Sequence, residues 1–185
     1  MIDLALYQPD IAQNTGTLIR LAACLGTTLH VIGPAGFDLT DRNLKRAGMD
    51  YIELATVVRH VGWTDFEVFV GTAGRRLVLA TTQGSVPYTD FAFRDGDILL
   101  MGRESAGVPG AVHQRADGRI VIPMRPDVRS INVALSAAMI MGEALRLTGG
   151  FAGLLGACLA ASPKCVGRGW GFGRSFRHNR FGETT

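Results

Sequence analysis

Short apolar runs rich in β-branched residues alternate along this chain with patterns at helical spacing, and this alternation restricts the possible folds more than any other feature. The apolar runs predict strands at residues 2–7, 28–32, 77–81, 98–101 and 119–122. The patterns at helical spacing predict one helix that ends before Gly26 and four more at residues 41–47, 63–70, 108–115 and 131–147. Such alternation is typical of an α/β domain with a mostly parallel sheet and helices on both faces.

The first and last predicted helices have the most informative patterns. The stripe of the first helix recurs at positions i, i+3, i+4 and i+7 and consists of Leu18, Leu21, Ala22 and Leu25. Gly26 is expected to end this helix. The helix at 131–147 is apolar nearly all round and is expected to be buried on more than one side. Either a homodimer covers part of it, or it is a central helix of the monomer core.

The composition changes after Thr148. Nine of the last 37 residues are glycine, and residues 166–180 are dominated by glycine, arginine and aromatic residues, with no acidic residue. We therefore predict one folded domain at residues 1–148 and a disordered tail at residues 149–185. The tail either contacts RNA through phosphates and stacking or is an unselected extension.

The net charge of +3 comes entirely from this tail. Residues 1–148 hold 14 Lys and Arg against 15 Asp and Glu, whereas residues 149–185 hold 5 against 1. Any contact of the domain with nucleic acid must therefore come from local clusters, such as residues 42–46 or Arg125 with Arg129.

The beginning of the chain and its cysteines indicate where the protein is located. Met1 is followed by an alternating apolar segment, without the charged start and apolar run of a secretory signal. The longest apolar stretches fall short of the ~20 residues that cross a bilayer. The three cysteines form neither an even framework nor a metal pattern and are expected to be free thiols. We expect a cytoplasmic protein without a membrane segment or a metal ion.

Glycines and short polar residues cluster where predicted strands lead into helices, the usual ligand-binding edge of an α/β sheet. The first cluster is Asn14 with Arg20, which points away from the apolar stripe of its helix. In the second, Gly102 and Gly107 allow close approach of the backbone to a ligand, and Glu104 offers hydrogen bonds. A solvated arginine and a plain turn would also explain these two clusters.

The third cluster spans residues 122–132, at the start of the apolar helix. Ser130 could be the N-cap of that helix. Asn132 carries a polar amide on a strongly apolar helix and therefore needs a partner, which a ligand or a neighbouring loop could supply.

In identity, order and spacing, the three clusters together resemble the sequence motifs of the SpoU family of RNA ribose methyltransferases. The resemblance covers roughly residues 1–148. The residues that match the first, second and third motifs are, in order, Asn14 and Arg20; Gly102, Glu104 and Gly107; and Ser130 and Asn132. The segment at residues 45–51, without an additional RNA-binding domain, is similar to minimal members that methylate the wobble ribose of tRNA, at cytidine or 5-carboxymethylaminomethyluridine.

This resemblance implies a C-terminal deep trefoil knot, a homodimer, tRNA as the partner and S-adenosylmethionine as the methyl donor. It implies that the loops at residues 79–84, 102–107 and 122–132 hold S-adenosylmethionine. The implied cofactor-binding residues are Leu79, Thr81, Gly102, Glu104, Gly107, Ile122, Ser130 and Asn132. The implied catalytic residues are Arg20, Asn14, Glu104, Ser130 and Asn132.

Three alternatives differ in chemistry or target. The target could be another position in tRNA or ribosomal RNA, or the protein could bind RNA without methylating it. A nicotinamide-dependent oxidoreductase would share the α/β alternation. However, residues 8–10 after the first strand read Gln-Pro-Asp, where a dinucleotide-binding enzyme needs a glycine fingerprint.

Overall fold

In the part of the chain that the structure describes, seven strands form one sheet. This computed structural model describes residues 1–38, 51, 53–152 and 154. The strands are β1 (Asp3–Tyr7), β2 (Thr28–Ile32), β3 (Thr56–His60), β4 (Leu77–Ala80), β5 (Val86–Pro87), β6 (Ile98–Met101) and β7 (Gly118–Val121). They are ordered β3-β2-β1-β6-β4-β7-β5, and every neighbouring pair is parallel.

The described helices are α1 (Ala12–Leu25), α2 (Trp63–Thr72), α3 (Gly110–Arg115) and α4 (Val133–Thr148). Residues Met1–Phe151 form one unit, and Ala152–Thr185 form a second, of which only residues 152 and 154 are described. The predicted helix at 41–47, the basic cluster at 42–46 and nearly all of the predicted tail lie outside the described residues. No described helix has both the length and the apolar character needed to span a bilayer.

The predicted α/β architecture is confirmed, including helices on both faces of the sheet. Along β1, Leu4 and Leu6 pack in a core with α1 and α4, while Ala5 and Tyr7 pack in a second core with α2 and α3. Successive side chains of a strand point to opposite faces, so a central strand buried on both sides is largely apolar, as β1 is from Leu4 to Tyr7.

Helix α4 differs from its prediction in one respect. One face of it is buried and contacts α1, through residues that include Ala137, Ile140 and Ala144. The opposite face exposes apolar side chains, so the alternative of a central helix buried within the monomer core is wrong, while the alternative that a homodimer covers this face stays a prediction.

Candidate functional site

A cavity of about 480 Å³ lies at the carboxyl edge of the sheet, beside the adjacent strands β1, β6, β4 and β7. Its walls come from the loops after β4, β6 and β7, from the first turn of α1 and from the N-terminal part of α4. The predicted site residues that line it are Asn14, Leu79, Thr81, Gly102, Glu104, Gly107, Ile122, Ser130 and Asn132. The three clusters, far apart in sequence, thus meet at one site.

A chain of hydrogen bonds joins one polar residue from each cluster. Asn14 donates from Nδ2 to Oε1 of Glu104 at 3.1 Å, and its Oδ1 accepts from Nδ2 of Asn132 at 3.0 Å. The amide of Asn14 therefore uses its donor on one side and its acceptor on the other. This arrangement fixes the orientation of the amide and links α1, the 102–107 loop and the start of α4.

Asn132, and not Ser130, is the N-cap of α4. Its Oδ1 accepts from the backbone N–H of Ala134 at 2.9 Å and of Leu135 at 3.4 Å. The cap satisfies amides that have no partner within the helix. The partner that the sequence analysis required for Asn132 is the side chain of Asn14, while Ser130 is exposed at the rim of the cavity.

The 102–107 loop is closed on itself by two backbone hydrogen bonds. The N–H of Arg103 donates to the carbonyl of Gly107 at 2.9 Å, and the N–H of Gly107 donates back to the carbonyl of Arg103 at 2.9 Å. Gly107 has φ +66°, a conformation that favours glycine. A Cβ on Gly102 would lie only 2.9 Å from the carbonyl carbon of Gly107. Both glycines of the second cluster are therefore required by the shape of the loop.

We expect Gly102→Ala to lower the free energy of unfolding by about 1–3 kcal/mol, since the added methyl group forces backbone apart at the neck of the loop. Urea denaturation measures this change. Gly71→Ala is the matched control, because Gly71 lies in α2 and a Cβ there would meet no atom within 4 Å. The control is expected to be neutral or stabilising. Equal stability of the two variants would contradict the prediction.

Asp10 belongs to the site region, although the sequence analysis did not single it out. It follows β1, and its Oδ1 accepts from Nη2 of Arg103 at 2.9 Å. Its Oδ2 accepts from the backbone N–H of Ser105 at 3.2 Å and from the Ser105 hydroxyl. Hydrogen bonds from Ser105 and then from Arg103 hold the pKa of the Asp10 carboxyl below its ordinary value. A single aspartate after a strand carries no pattern that distinguishes it from a turn residue.

Arg20 does not line the cavity. It is exposed on α1, six residues beyond Asn14, a rise of about 9 Å along the helix. Its guanidinium carbon lies 4.6 Å from the ring centroid of Tyr51, a cation–π geometry. The backbone carbonyl of Tyr51 accepts from the amides of Leu54 and Ala55, which fixes the backbone of Tyr51 before β3.

Comparison with known proteins extends the motif match to the whole domain. The model of the SpoU rRNA Methylase family matches residues 1–142. A tRNA (cytidine(34)-2'-O)-methyltransferase from Ancylobacter novellus is 60% identical over 149 residues, which cover 80% of this chain and 94% of that protein. The protein of the same name from Escherichia coli K12 is 39% identical over 152 residues, covering 80% and 95%.

Solved structures resemble the same part of the chain. One, which concerns 2-OH methylation of C/U34 on tRNA, has a TM-score of 0.75 and 39% identity and covers 80% of this chain and 95% of its own. A SpoU methyltransferase from Streptomyces viridochromogenes in complex with AdoMet has a TM-score of 0.71 and 29% identity. That match covers 79% of this chain and 59% of the other.

Proposed function

Because this chain belongs to the SpoU methylase family, we propose that it transfers a methyl group from S-adenosylmethionine to the 2′-hydroxyl of the wobble nucleotide of tRNA. The observation that carries the proposal is the meeting of residues from all three motifs in one cavity, joined through Glu104, Asn14 and Asn132. The substrate is cytidine or 5-carboxymethylaminomethyluridine at position 34. The support for this target is the naming of relatives at 39% and 60% identity as tRNA (cytidine(34)-2'-O)-methyltransferases. The reaction takes place in the cytoplasm.

The cavity suits S-adenosylmethionine in size and in the character of its walls. Its volume of about 480 Å³ is typical of small-molecule sites. Its walls combine apolar side chains, such as Leu79 and Ile122, with the hydroxyls of Thr81 and Ser130. Backbone is packed tightly beside it, since a Cβ on Gly84 would lie 2.6 Å from the carbonyl of Ile120. The resemblance to the SpoU family implies that backbone groups of the 79–84, 102–107 and 122–132 loops hold the ligand, and residues of all three loops line the cavity.

The reaction requires little from the protein beyond positioning the two reactants and stabilising the charge that develops on the 2′-oxygen. S-adenosylmethionine supplies a methyl group that its sulfonium already activates. The residues of the chain hold the ribose oxygen in line with the donor and help to remove its proton. Arg20 stabilises the negative charge that develops on the 2′-oxygen, because a guanidinium remains protonated and cannot readily act as a base.

The remaining site residues orient the reactants. Glu104 supports the 102–107 loop and, through its hydrogen bond, fixes the amide of Asn14. Asn132 holds the same amide from the other side while it caps α4. Ser130, at the exposed rim of the cavity, contacts S-adenosylmethionine or the ribose.

We also propose that the C-terminal part of the domain is tied in a deep trefoil knot, an exception to the rule that chains avoid threading. In the sheet, β7 lies beyond β4, whereas α4 contacts α1 and β6 nearer the centre. The 122–132 segment must therefore return across the edge where the loops after β4 and β6 lie. This return path supports the knot.

The exposed face of α4 supports a homodimer. Leu135, Met139 and Leu147 are spaced by multiples of four residues and are 61%, 41% and 44% exposed. Leu135 and Met139 lie one above the other on this face, whereas Glu143 continues the same row and pairs with Arg146 before Leu147. Exposed apolar side chains grouped beside an ion pair are typical of an interface.

We expect the double variant Met139→Lys and Leu147→Lys to be monomeric, because two charges would be buried in the dimer interface. Analytical ultracentrifugation of this variant and of the wild type measures the change. The control is Val61→Lys with Val68→Lys, which alters two exposed valines away from α4. This control should sediment like the wild type, and a monomeric wild type would contradict the proposed dimer.

We propose residues 1–148 as the complete methyltransferase domain and 149–185 as a dispensable tail. Truncation after Gly150 is therefore expected to leave kcat and the KM for tRNA unchanged, because no residue proposed for the site lies beyond Asn132. Steady-state assays over a range of salt concentrations measure both constants. A higher KM with a weaker salt dependence would instead indicate that the tail binds phosphates.

Transfer of labelled methyl from S-adenosylmethionine to total tRNA tests the proposed function, with the product mapped by nuclease digestion and mass spectrometry. We expect 2′-O-methyl label at nucleotide 34. Label at another nucleotide would preserve the chemistry and overturn the target. Binding of S-adenosylmethionine without transfer to tRNA would favour another RNA substrate or an inactive RNA-binding protein.

A further inference from the structure

Asp10 contacts three consecutive residues of the 102–107 loop. Its backbone N–H donates to Oε2 of Glu104 at 2.9 Å. Its carboxylate accepts from Nη2 of Arg103 at 2.9 Å and from the backbone N–H of Ser105 at 3.2 Å. One residue after β1 thus holds the outer part of a loop that lines the cavity from the end of β6.

The loop after β2 also contacts Asp10 and its neighbour Pro9. The carbonyl of Pro9 accepts from the N–H of Gly36 at 2.8 Å. Gly36 is packed so closely that a Cβ there would lie 3.1 Å from Cα of Asp10. Asp10 is therefore held by the loop after β2 as well as by the loop after β6.

Charged and polar partners hold Asp10 in this position. We call the contacts of Asp10 with Arg103, Glu104 and Ser105 the clamp. The carboxyl of Asp10 receives hydrogen bonds from a guanidinium, a hydroxyl and a backbone amide, which together keep its pKa low. The side chain of Arg103 is also held by Oε1 of Gln8, which accepts from Nη1 at 3.3 Å. Charge-assisted hydrogen bonds of this kind are stronger than neutral ones and fix geometry.

We propose that Asp10 is a positioning residue that holds the 102–107 loop in the shape that binds S-adenosylmethionine, an inference that rests on the proposed function. Asp10 does not line the cavity itself and acts through Arg103, Glu104 and Ser105, which do. A loop ordered before the ligand arrives binds more tightly, because ordering it no longer reduces the affinity.

The test is calorimetric binding of S-adenosylmethionine to Asp10→Asn. An asparagine has one acceptor oxygen, and its NH₂ group would face the donors of Arg103 or Ser105. We expect the Kd to rise about tenfold, the effect of losing one charged hydrogen bond. In tRNA methylation the KM for S-adenosylmethionine should rise in parallel, with kcat at saturation and the KM for tRNA little changed.

Glu67→Gln is the matched control. Oε1 of Glu67 lies 3.4 Å from Nε of Arg115, in a partly exposed ion pair between α2 and α3 that does not border the cavity. Its conversion to an amide removes the same charge from the protein. This variant should bind S-adenosylmethionine like the wild type.

Arg103→Gln, alone and combined with Asp10→Asn, shows whether the effect passes through the clamp. If Asp10 acts through Arg103, the double variant weakens binding by less than the product of the two single effects. If Asp10→Asn does not fold, binding of S-adenosylmethionine to Arg103→Gln tests the proposal instead. Folded variants that all bind like the wild type, or single effects that multiply, would overturn the proposal.

The binding and transfer experiments distinguish failure of the proposed function from failure of the clamp. A wild type that binds S-adenosylmethionine and transfers no methyl to tRNA contradicts that function, while weaker binding by Asp10→Asn would still support the clamp. A wild type that methylates nucleotide 34, with unchanged binding in folded Asp10→Asn, would overturn the clamp alone.

Discussion

Arg20→Ala is expected to lower kcat for methyl transfer by about 100-fold or more, the usual effect of removing one group that stabilises a developing oxyanion. The affinity for S-adenosylmethionine should not change, because Arg20 does not line the cavity. Single-turnover transfer to tRNA measures the first quantity, and calorimetry measures the second. Loss of chemistry with retained cofactor binding would place Arg20 on the ribose side of the reaction.

Two further variants separate the charge of Arg20 from its geometry. Arg20→Lys keeps a positive charge but loses the planar fork of donors, so its rate should lie between those of the wild type and Arg20→Ala. Tyr51→Leu removes the ring beneath the guanidinium and should slow transfer about threefold, because an exposed cation–π contact contributes about 0.5–1 kcal/mol. Tyr51→Phe keeps the ring and serves as the control. If Arg20→Ala transfers methyl as fast as the wild type, another group must activate the 2′-hydroxyl.

The sequence predicted the central strands of the sheet because they are buried on both faces. β4 and β6 read as continuous apolar runs for that reason, and β1 is apolar from Leu4 to Tyr7. β3 and β5 were missed, and these are the two edge strands. In β3, Thr56, Val58 and Arg59 are exposed, so no apolar run marks the strand. β5 has only two residues, one of them a proline.

The same holds for the candidate site: residues that belong to a sequence pattern were predicted, and residues that only the topology brings together were not. The motif residues could be found in sequence because their types and spacing recur within a family. The strand order places β1 beside β6 and thereby brings Asp10 against the 102–107 loop, and no local pattern encodes that order. The same limitation applies to the capping role of Asn132. Either Ser130 or Asn132 could cap a helix, and only the folded geometry, in which Asn132 accepts from the amides of Ala134 and Leu135, distinguishes them.

Asn132→Asp is expected to separate catalysis from the stability of α4. An aspartate caps a helix as well as an asparagine does, so α4 keeps its cap and the melting temperature should fall only by the cost of the lost link to Asn14. However, the aspartate cannot donate to Oδ1 of Asn14. If the amide of Asn14 rotates to donate to it, the amide oxygen then faces the carboxylate of Glu104. Either orientation leaves two acceptors in contact, so we expect kcat/KM to fall about 10- to 100-fold.

Two matched variants identify which property of Asn132 matters. Asn132→Ser keeps a good cap and removes the amide without adding charge, so it should lose activity but less than Asn132→Asp. Asn132→Ala loses both the cap and the link, and should also lower the free energy of unfolding by about 1 kcal/mol. Kinetics and thermal unfolding on the three proteins measure both effects. If Asn132→Asp were as active as the wild type, the chain of hydrogen bonds from Glu104 to Asn132 would serve only to hold the fold together. The placement of the ribose would then depend on Arg20 and the loop backbones.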